Sequence, residues 1–210
     1  SREALDPVRY LSNRSSGKMG YALARVGARR GAEVTLISGP TSLAPPSGVR
    51  LIRVVTAGEM RKAVLDEFHN ATSVLMAAAV ADYHPERFSD KKIKRGEVPA
   101  EIKLMPNPDI LRELGKKKNG KVLIGFAAET EDLIDNAEKK LRQKNLDLIV
   151  ANNVSEEGSG FNGDTNRATI LGQMGGVHPL PLMSKDELAD RIYDHLLGLR
   201  SEIRVVSSRR

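Results

Sequence analysis

The 210-residue chain has no cysteine and no tryptophan. The missing cysteine excludes a disulfide framework and any thiolate-held metal, and makes the cytosol the expected compartment. Aromatic residues are only 4% of the chain, too sparse for the stacking platform of a single-stranded nucleic-acid binder. Long apolar runs are absent as well. The longest uncharged one, Val74 to Ala81, is far short of the roughly 20 residues a bilayer-spanning helix needs, and no signal-peptide pattern is legible. No internal repeat is found.

What remains is ordinary globular material, enough for one sizeable core: a single domain over residues 1–200 and a tail over 201–210. The formal net charge of +6 raises nucleic acid as a partner. Lys116 to Lys118 and Arg209-Arg210 read as solvated turns and ends, however, and no nucleic-acid motif accompanies them. An enzyme for small polyanions carries the same balance, so neither nucleic acid nor membrane is the expected partner.

One stretch stands out. Tyr10 to Gly20 packs an amide (Asn13), three hydroxyls (Ser12, Ser15, Ser16), Arg14, Lys18 and the glycines Gly17 and Gly20 directly before a helical pattern. Small residues let a ligand approach the backbone, and the helix dipole favours an anion there. An ordinary helix N-cap with a flexible entry accounts for Ser-Ser-Gly by itself and is the default reading of that tripeptide. A Walker A loop is excluded, because Ser12 stands where its first Gly belongs and Met19 follows the Lys. The dinucleotide fingerprint also fails: its first Gly is missing, and Ser38-Gly39-Pro40 stands where an acidic residue should close the second strand.

Strand and helix patterns alternate along the chain. Ser1 to Arg9 reads as turn-like, Met19 to Arg30 as a helix, Glu33 to Ile37 and Arg50 to Val55 as strands, and Ala57 to Asn70 as a helix whose capping box is Thr56 and Glu59. Ser73 to Ala79 is an apolar run expected to be a strand buried on both faces. A long excursion from His84 to Pro108 carries Lys91-Lys92-Ile93-Lys94-Arg95-Gly96 and a strand-like Ala100 to Met105. Then follow a helix at Ile110 to Lys117, a strand at Lys121 to Phe126, a helix at Leu133 to Lys144 and a strand at Leu146 to Ala151. A Gly-rich loop at Gly158 to Gly163, a hairpin from Arg167 turning at Gly175-Gly176, and a helix from Ser184 to Leu197 complete the pattern. This order predicts an α/β, Rossmann-like doubly wound fold, its sheet mainly parallel with helices on both faces. Ligands of such sheets sit at the carboxyl ends of the strands. Those ends carry Asp82, Glu129 and Asn152-Asn153, with Lys92, Lys94, Lys140 and Lys144 on neighbouring segments. Carboxylates beside several cations suit a nucleoside triphosphate with its Mg2+; solvated helix and loop faces are the competing reading.

Taken together, several ordered motifs resemble one family. They are Asp6-Pro7-Val8-Arg9-Tyr10, Ser12 to Gly20, Ala77 to Tyr83, Lys92-Ile93-Lys94-Arg95, Asn107-Pro108-Asp109-Ile110, Gly125 to Thr130 and Asn145-Leu146-Asp147. This set is similar to phosphopantothenoylcysteine synthetase, the CTP-dependent phosphopantothenate-cysteine ligase of coenzyme A biosynthesis. That family is often found as the C-terminal half of a two-activity protein. The resemblance runs from about residue 2 to 197 and implies a reaction. CTP and 4'-phosphopantothenate would give an acyl-cytidylate and pyrophosphate, and the amine of cysteine would then displace CMP. It implies roles as well. Asn13 would stabilise the acyl intermediate with Arg9 supporting its loop, Ser15, Ser16, Gly17, Ala78 and Ala79 would line the phosphopantothenate site, and Lys92 would neutralise charge during cytidylyl transfer. Asp82 would meet the nucleotide or its magnesium, and Pro108, Asp109, Ile110, Leu111, Phe126, Lys140 and Lys144 would line the CTP pocket. The excursion at residues 84–106 would be a flap and a dimerisation arm, making the protein a homodimer, fused to or associated with a flavin-dependent decarboxylase domain.

Members of the family usually open with a further strand and a Thr-Ala-Gly-Gly-Thr-type turn. A missing N-terminal strand is therefore expected to leave a sheet edge open, and Arg95 replaces the last Lys of the Lys-Ile-Lys-Lys motif. Other classes predict different behaviour. A non-catalytic domain of the same fold would bind CTP without turnover, a basic RNA-binding domain would bind with steep salt dependence, and an NAD-dependent reductase lacks its glycine and acidic residue.

Overall fold

The computed structural model describes residues 1–94, 101–129, 131–153, 163–173 and 176–207; side chains are described to residue 201, with that of Asn153 omitted. Arg95, Gly96, Ala100, Thr130, most of the Gly158 to Gly163 loop, Gly175 and Arg209-Arg210 lie outside these residues.

The chain opens with β1 (Arg2–Ala4), β2 (Tyr10–Ser12), α1 (Lys18–Arg29), β3 (Val34–Ser38), β4 (Val49–Arg53), α2 (Ala57–Phe68) and β5 (Ser73–Met76). It continues through β6 (Tyr83–Pro85), β7 (Leu104–Pro106), α3 (Ile110–Lys116), β8 (Val122–Glu129), α4 (Leu133–Gln143) and β9 (Leu148–Asn153). Last come β10 (Thr165–Asn166), β11 (Ala168–Gly172), β12 (Val177–Pro179), β13 (Met183–Ser184) and α5 (Lys185–Ser207).

A five-stranded sheet in the order β12-β11-β9-β8-β5 forms the centre. Its β5–β8 and β8–β9 pairs are parallel, and β9–β11 and β11–β12 are antiparallel. β3 and β4 make a separate parallel pair. Alternation along β8 shows how the layers are filled. Val122 and Ile124 join Leu23, Val26, Leu188 and Ile192 of α1 and α5, whereas Leu123 and Ala127 join Leu111, Leu114, Ala137 and Leu141 of α3 and α4. Successive side chains of a strand point to opposite faces, so one strand seeds both cores.

Two glycines set how closely the layers approach. A Cβ on Gly27 would lie 2.2 Å from the Tyr193 hydroxyl, so this residue lets α1 and α5 touch. Arg25–Asp186, Arg29–Asp190 and Arg30–Asp194 ion pairs line the same contact. On the other face a Cβ on Gly125 would fall 2.7 Å from Leu146 Cδ1 and 2.9 Å from Leu111 Cδ2.

Several sequence expectations are corrected. The apolar run at 73–79 is strand only to Met76 and its four strand residues are half-buried, because β5 is the edge of its sheet among the described residues. The chain then leaves the sheet because polar groups from other segments take its carbonyls. Ser1 to Arg9 forms a hairpin with β2 rather than a simple turn, Arg2 pairing with Ser12 and Ala4 with Tyr10. The strand in the excursion begins at Leu104 and pairs antiparallel with β6. The closing helix runs to Ser207. Both capping boxes are present. Thr56 Oγ1 accepts from Glu59 N at 3.1 Å, and Glu59 reaches back to Val55 N at 2.7 Å. Ser184 Oγ accepts from Glu187 N at 3.2 Å, and Glu187 accepts from Ser184 N at 2.8 Å. Among the described residues, no helix is long and apolar enough to cross a membrane.

Candidate active site

The N-terminal hairpin is built on one carboxylate. Asp6 Oδ1 accepts from Val8 N at 2.9 Å and Arg9 N at 2.7 Å, closing a turn of the kind Asp and Pro favour. Asp6 Oδ2 accepts from Arg9 Nε at 2.9 Å, and the side chain has no solvent exposure. The Arg9 guanidinium beside it holds the Asp6 carboxyl well below the usual carboxylate range, and the Val8, Arg9 and Ile93 amides act in the same direction against the effect of burial. Nearby, Glu3 is buried and accepts from Ala57 N at 2.8 Å, which fastens the hairpin to the start of α2.

From β2 the chain enters the Asn13 to Gly17 loop. Ser12 Oγ donates to Ser1 O at 2.7 Å, and Asn13 Nδ2 donates to Val80 O at 3.1 Å. Gly17, with φ at 78°, is the N-cap of α1; no side chain caps the helix and no acidic residue stands in its first turn. A side chain would be strained in that left-handed conformation. The loop is pinned from behind by Thr41 Oγ1, which donates to Ser16 O at 3.1 Å. Asn13 and Ser15 are exposed, while Ser16 and Gly17 are half-buried.

Beyond β5, residues 77–82 run without regular structure because their polar groups are held from several sides. Ser1 Oγ accepts from Ala81 N at 3.0 Å, and Asn13 holds Val80 O. Asn107 completes the set: Nδ2 donates to Ala81 O at 2.8 Å and its backbone N–H to Asp82 O at 2.7 Å. Ala78 and Asp82 face solvent. The Asn13 loop and the Asp82 segment are thus brought together by direct bonds.

The Lys92 segment is joined to the same edge. Ile93 donates its N–H to Asp6 Oδ2 at 3.2 Å, and its carbonyl accepts from Arg9 Nη2 at 2.9 Å. Lys92 and Lys94, on either side, are exposed.

The expected CTP-lining residues divide. Asp109 caps α3 through Arg112 N at 3.0 Å and lies 3.0 Å from Lys144 Nζ. Lys140 Nζ pairs with Glu129 at 2.6 Å. The two pairs thus tie α4 and its C-cap to the end of β8 and to the start of α3, and Pro108, next to Asp109, is exposed. Ile110 and Leu111 are only 2% and 8% exposed, so their side chains serve the core. Phe126 packs half-buried against the α1 and α5 cluster, on the sheet face opposite Leu111. Asn145 and Asp147 are braces: Asp147 binds Lys118 at 2.6 Å and Leu123 N at 2.7 Å.

No group of three potential metal ligands exists among the described residues. Asp82 is exposed, and Mg2+ is commonly held by one or two carboxylates plus substrate phosphates, so a single open carboxylate is compatible with such an ion. A separate cavity of about 310 Å³ lies between the starts of α1 and α5, lined by Lys18, Arg25 and Lys185 among others, and by none of the expected site residues. Its charges are used internally: Lys18 pairs with Asp164 at 2.7 Å, Arg25 with Asp186, and Lys185 donates to Gly163 O and Thr165 O.

Residues 1–199 match the family described as DNA/pantothenate metabolism flavoprotein C-terminal domain. The chain belongs to that family. It is 46% identical over 203 residues to the Coenzyme A biosynthesis bifunctional protein CoaBC of Bacillus subtilis, covering 96% of this chain and 50% of that one. It is also 47% identical over 199 residues to a Cysteine/Cysteine sulfinic acid decarboxylase of an unknown prokaryotic organism, covering 94% of this chain and 55% of the other. The crystal structure of the C-terminal domain of a CoaBC protein superposes with a TM-score of 0.83 at 40% identity, over 96% of this chain and 92% of that one. The chain therefore spans about half the length of the curated relatives it matches, and the doubly wound fold is shared with this family.

Two site residues were passed over in the sequence. Asp6 could have been singled out by the Asp-Pro-x-Arg order, which suits a side-chain-closed turn. Asn107 stands in the Asn107-Pro108-Asp109-Ile110 motif, but its fixing of the Asp82 segment has no local signal, since Ala81 and Asp82 lie 26 and 25 residues away.

Proposed function

We propose that the chain is the phosphopantothenate-cysteine ligase unit of coenzyme A biosynthesis, using CTP. One observation carries the reading. Asn13 is bonded to the Asp82 segment through Val80 O, and the Lys92 segment is bonded through Ile93 O to Arg9, which lies on the same N-terminal hairpin as Asn13 and 84 positions before Ile93. In the first step a carboxylate oxygen of phosphopantothenate attacks the α-phosphorus of CTP and pyrophosphate leaves. Lys92 offsets the charge that develops, and Lys140 and Lys144 hold the nucleotide, exchanging their bonds to Glu129 and Asp109 for ligand oxygens. In the second step the cysteine amine attacks the acyl carbon, loses a proton and expels CMP. Asn13 spends one Nδ2–H on Val80, and the other is left to donate to the tetrahedral oxyanion. Mg2+ would be held by the triphosphate and Asp82 and would neutralise phosphate charge.

The fused or associated flavin-dependent decarboxylase, the cytoplasmic setting and a homodimer belong to the same proposal. The relatives' bifunctional name supports the first of these. For the dimer, the β6–β7 hairpin and its flank expose Tyr83, Phe88, Ile102, Leu104 and Met105, an unusual run of apolar surface in a chain this poor in aromatics.

The test is pyrophosphate release from the chain with magnesium, phosphopantothenate, cysteine and either CTP or ATP. Release that requires CTP and phosphopantothenate, and that falls roughly 100-fold or more in Lys92→Gln, is expected. CTP binding with no release would overturn the ligase reading and favour a non-catalytic nucleotide-binding domain of this fold.

A further inference from the structure

The Asp6 carboxylate is fully enclosed, yet one of its partners is 87 positions away in the sequence. Its contacts fall into two sets. Oδ1 closes the local turn through the Val8 and Arg9 amides, while Oδ2 accepts from Arg9 Nε and from Ile93 N. Arg9 in turn donates to Ile93 O. Both backbone polar groups of Ile93 are therefore held by one ion pair, and Lys92 and Lys94 flank the held residue. A further strut runs from Ser89 N to Leu5 O at 3.1 Å, and Ser89 Oγ donates to Lys91 O at 2.7 Å.

We propose that Asp6 is a positioning residue for Lys92: with Arg9 it forms a clasp on Ile93 that fixes the backbone from which the Lys92 ammonium projects. The inference rests on the ligase reading for its catalytic consequence, but the clasp itself stands on geometry. A lysine side chain has four rotatable bonds and loses much freedom on being placed, so a fixed Cα removes a large part of the search. Arg9 accordingly acts through Asp6 and Ile93 rather than by direct contact with substrate.

Every group around Asp6 is a donor, so an acceptor-only side chain is required. Asp6→Asn conserves volume and can keep the Val8 and Arg9 amides on its one oxygen. Its NH2 must then face the Arg9 guanidinium and the Ile93 N–H, donor against donor. The substitution thus opens the clasp while leaving the turn closed.

Two readouts test this. Hydrogen exchange of peptides covering residues 88–94 should rise in Asp6→Asn while that of α1 stays unchanged; unchanged exchange at 88–94 overturns the clasp. In pyrophosphate release, Asp6→Asn should lower kcat roughly 10- to 100-fold, the scale of a small misplacement of a reacting group, with a smaller change in KM for CTP. It should add nothing further in a Lys92→Gln background, because residues acting as one unit are non-additive. Losses that multiply in the double variant would show that Asp6 does not act through Lys92 and would overturn the proposal. If Asp6→Asn fails to fold, Arg9→Lys keeps the charge but cannot make both the bond to Asp6 Oδ2 and the bond to Ile93 O, and must reproduce the kcat loss and the raised exchange at 88–94. A wild-type chain that releases no pyrophosphate sinks the ligase reading alone, and exchange then decides the clasp.

Discussion

Gly115→Ala is a small change that the structure predicts to be costly. Gly115 lies in the last turn of α3, where the end of α4 docks against it. A Cβ there would sit 2.0 Å from the Lys144 carbonyl oxygen and 2.9 Å from its carbon. Those are backbone atoms, so no rotamer relieves the clash. Alanine is favoured over glycine within a helix by up to about 1 kcal/mol. Against this stand overpacking, about 1–3 kcal/mol, and disturbance of the Asn145 Nδ2 bond to Gly115 O, 2.9 Å long, worth about 0.5–1.5 kcal/mol. The net expectation is a loss of roughly 1–3 kcal/mol, or roughly 2–12 °C in Tm for a chain of this size. Gly198→Ala is the control, because Gly198 lies within α5 with no atom within 4 Å of an added Cβ. It should stabilise by up to about 1 kcal/mol. Urea denaturation of both variants, read by linear extrapolation, separates the two signs. Displacing Lys144 also disturbs its 3.0 Å contact with Asp109, so Gly115→Ala should raise KM for CTP. A Gly115→Ala chain as stable as wild type would refute the close-approach argument.

Acid should weaken the fold through carboxylates held low by their partners. Glu113 is lowered from 4.5 to about 2 by hydrogen bonds from Arg61 and then Lys117, and Asp6 is lowered by Arg9. The native state binds fewer protons than the unfolded chain between these values, so this stability is present above pH 4.5 and is lost as pH falls toward 2. Thermal melts should show Tm falling below about pH 4.5, less steeply in Glu113→Gln; a Tm constant down to pH 3 would contradict this. The homodimer is tested by sedimentation equilibrium: Leu104→Lys should shift the wild-type dimer toward monomer, and a wild-type monomer at micromolar concentration would refute the dimer.

Much of the framework was legible because it rests on local chemistry. The Thr56–Glu59 and Ser184–Glu187 boxes, the stop at Gly31 and the alternation of strand and helix all follow from propensity and periodicity, and the structure has each of them. Errors came where long-range pairing decided. The apolar run at 73–79 has no local reason to stop at Met76; it stops because the side chains of Ser1, Asn13 and Asn107 hold its continuation. The β1–β2 hairpin was missed because its strands are only three residues long, too short for a period to show.

The site divides in the same way. Sequence alone determined the ingredients: an anion-suited loop before α1, cations at strand ends, and an ordered motif set that indicated the family. How each of those side chains is placed was decided by tertiary packing. Ile110 and Leu111 became core, Asp109 and Glu129 became partners of Lys144 and Lys140, and Phe126 went to the opposite face because strand side chains alternate. Only the fold could bring Asp6 to Ile93 across 87 positions of sequence, since a hydrogen bond acts over about 3 Å and carries no trace in local composition.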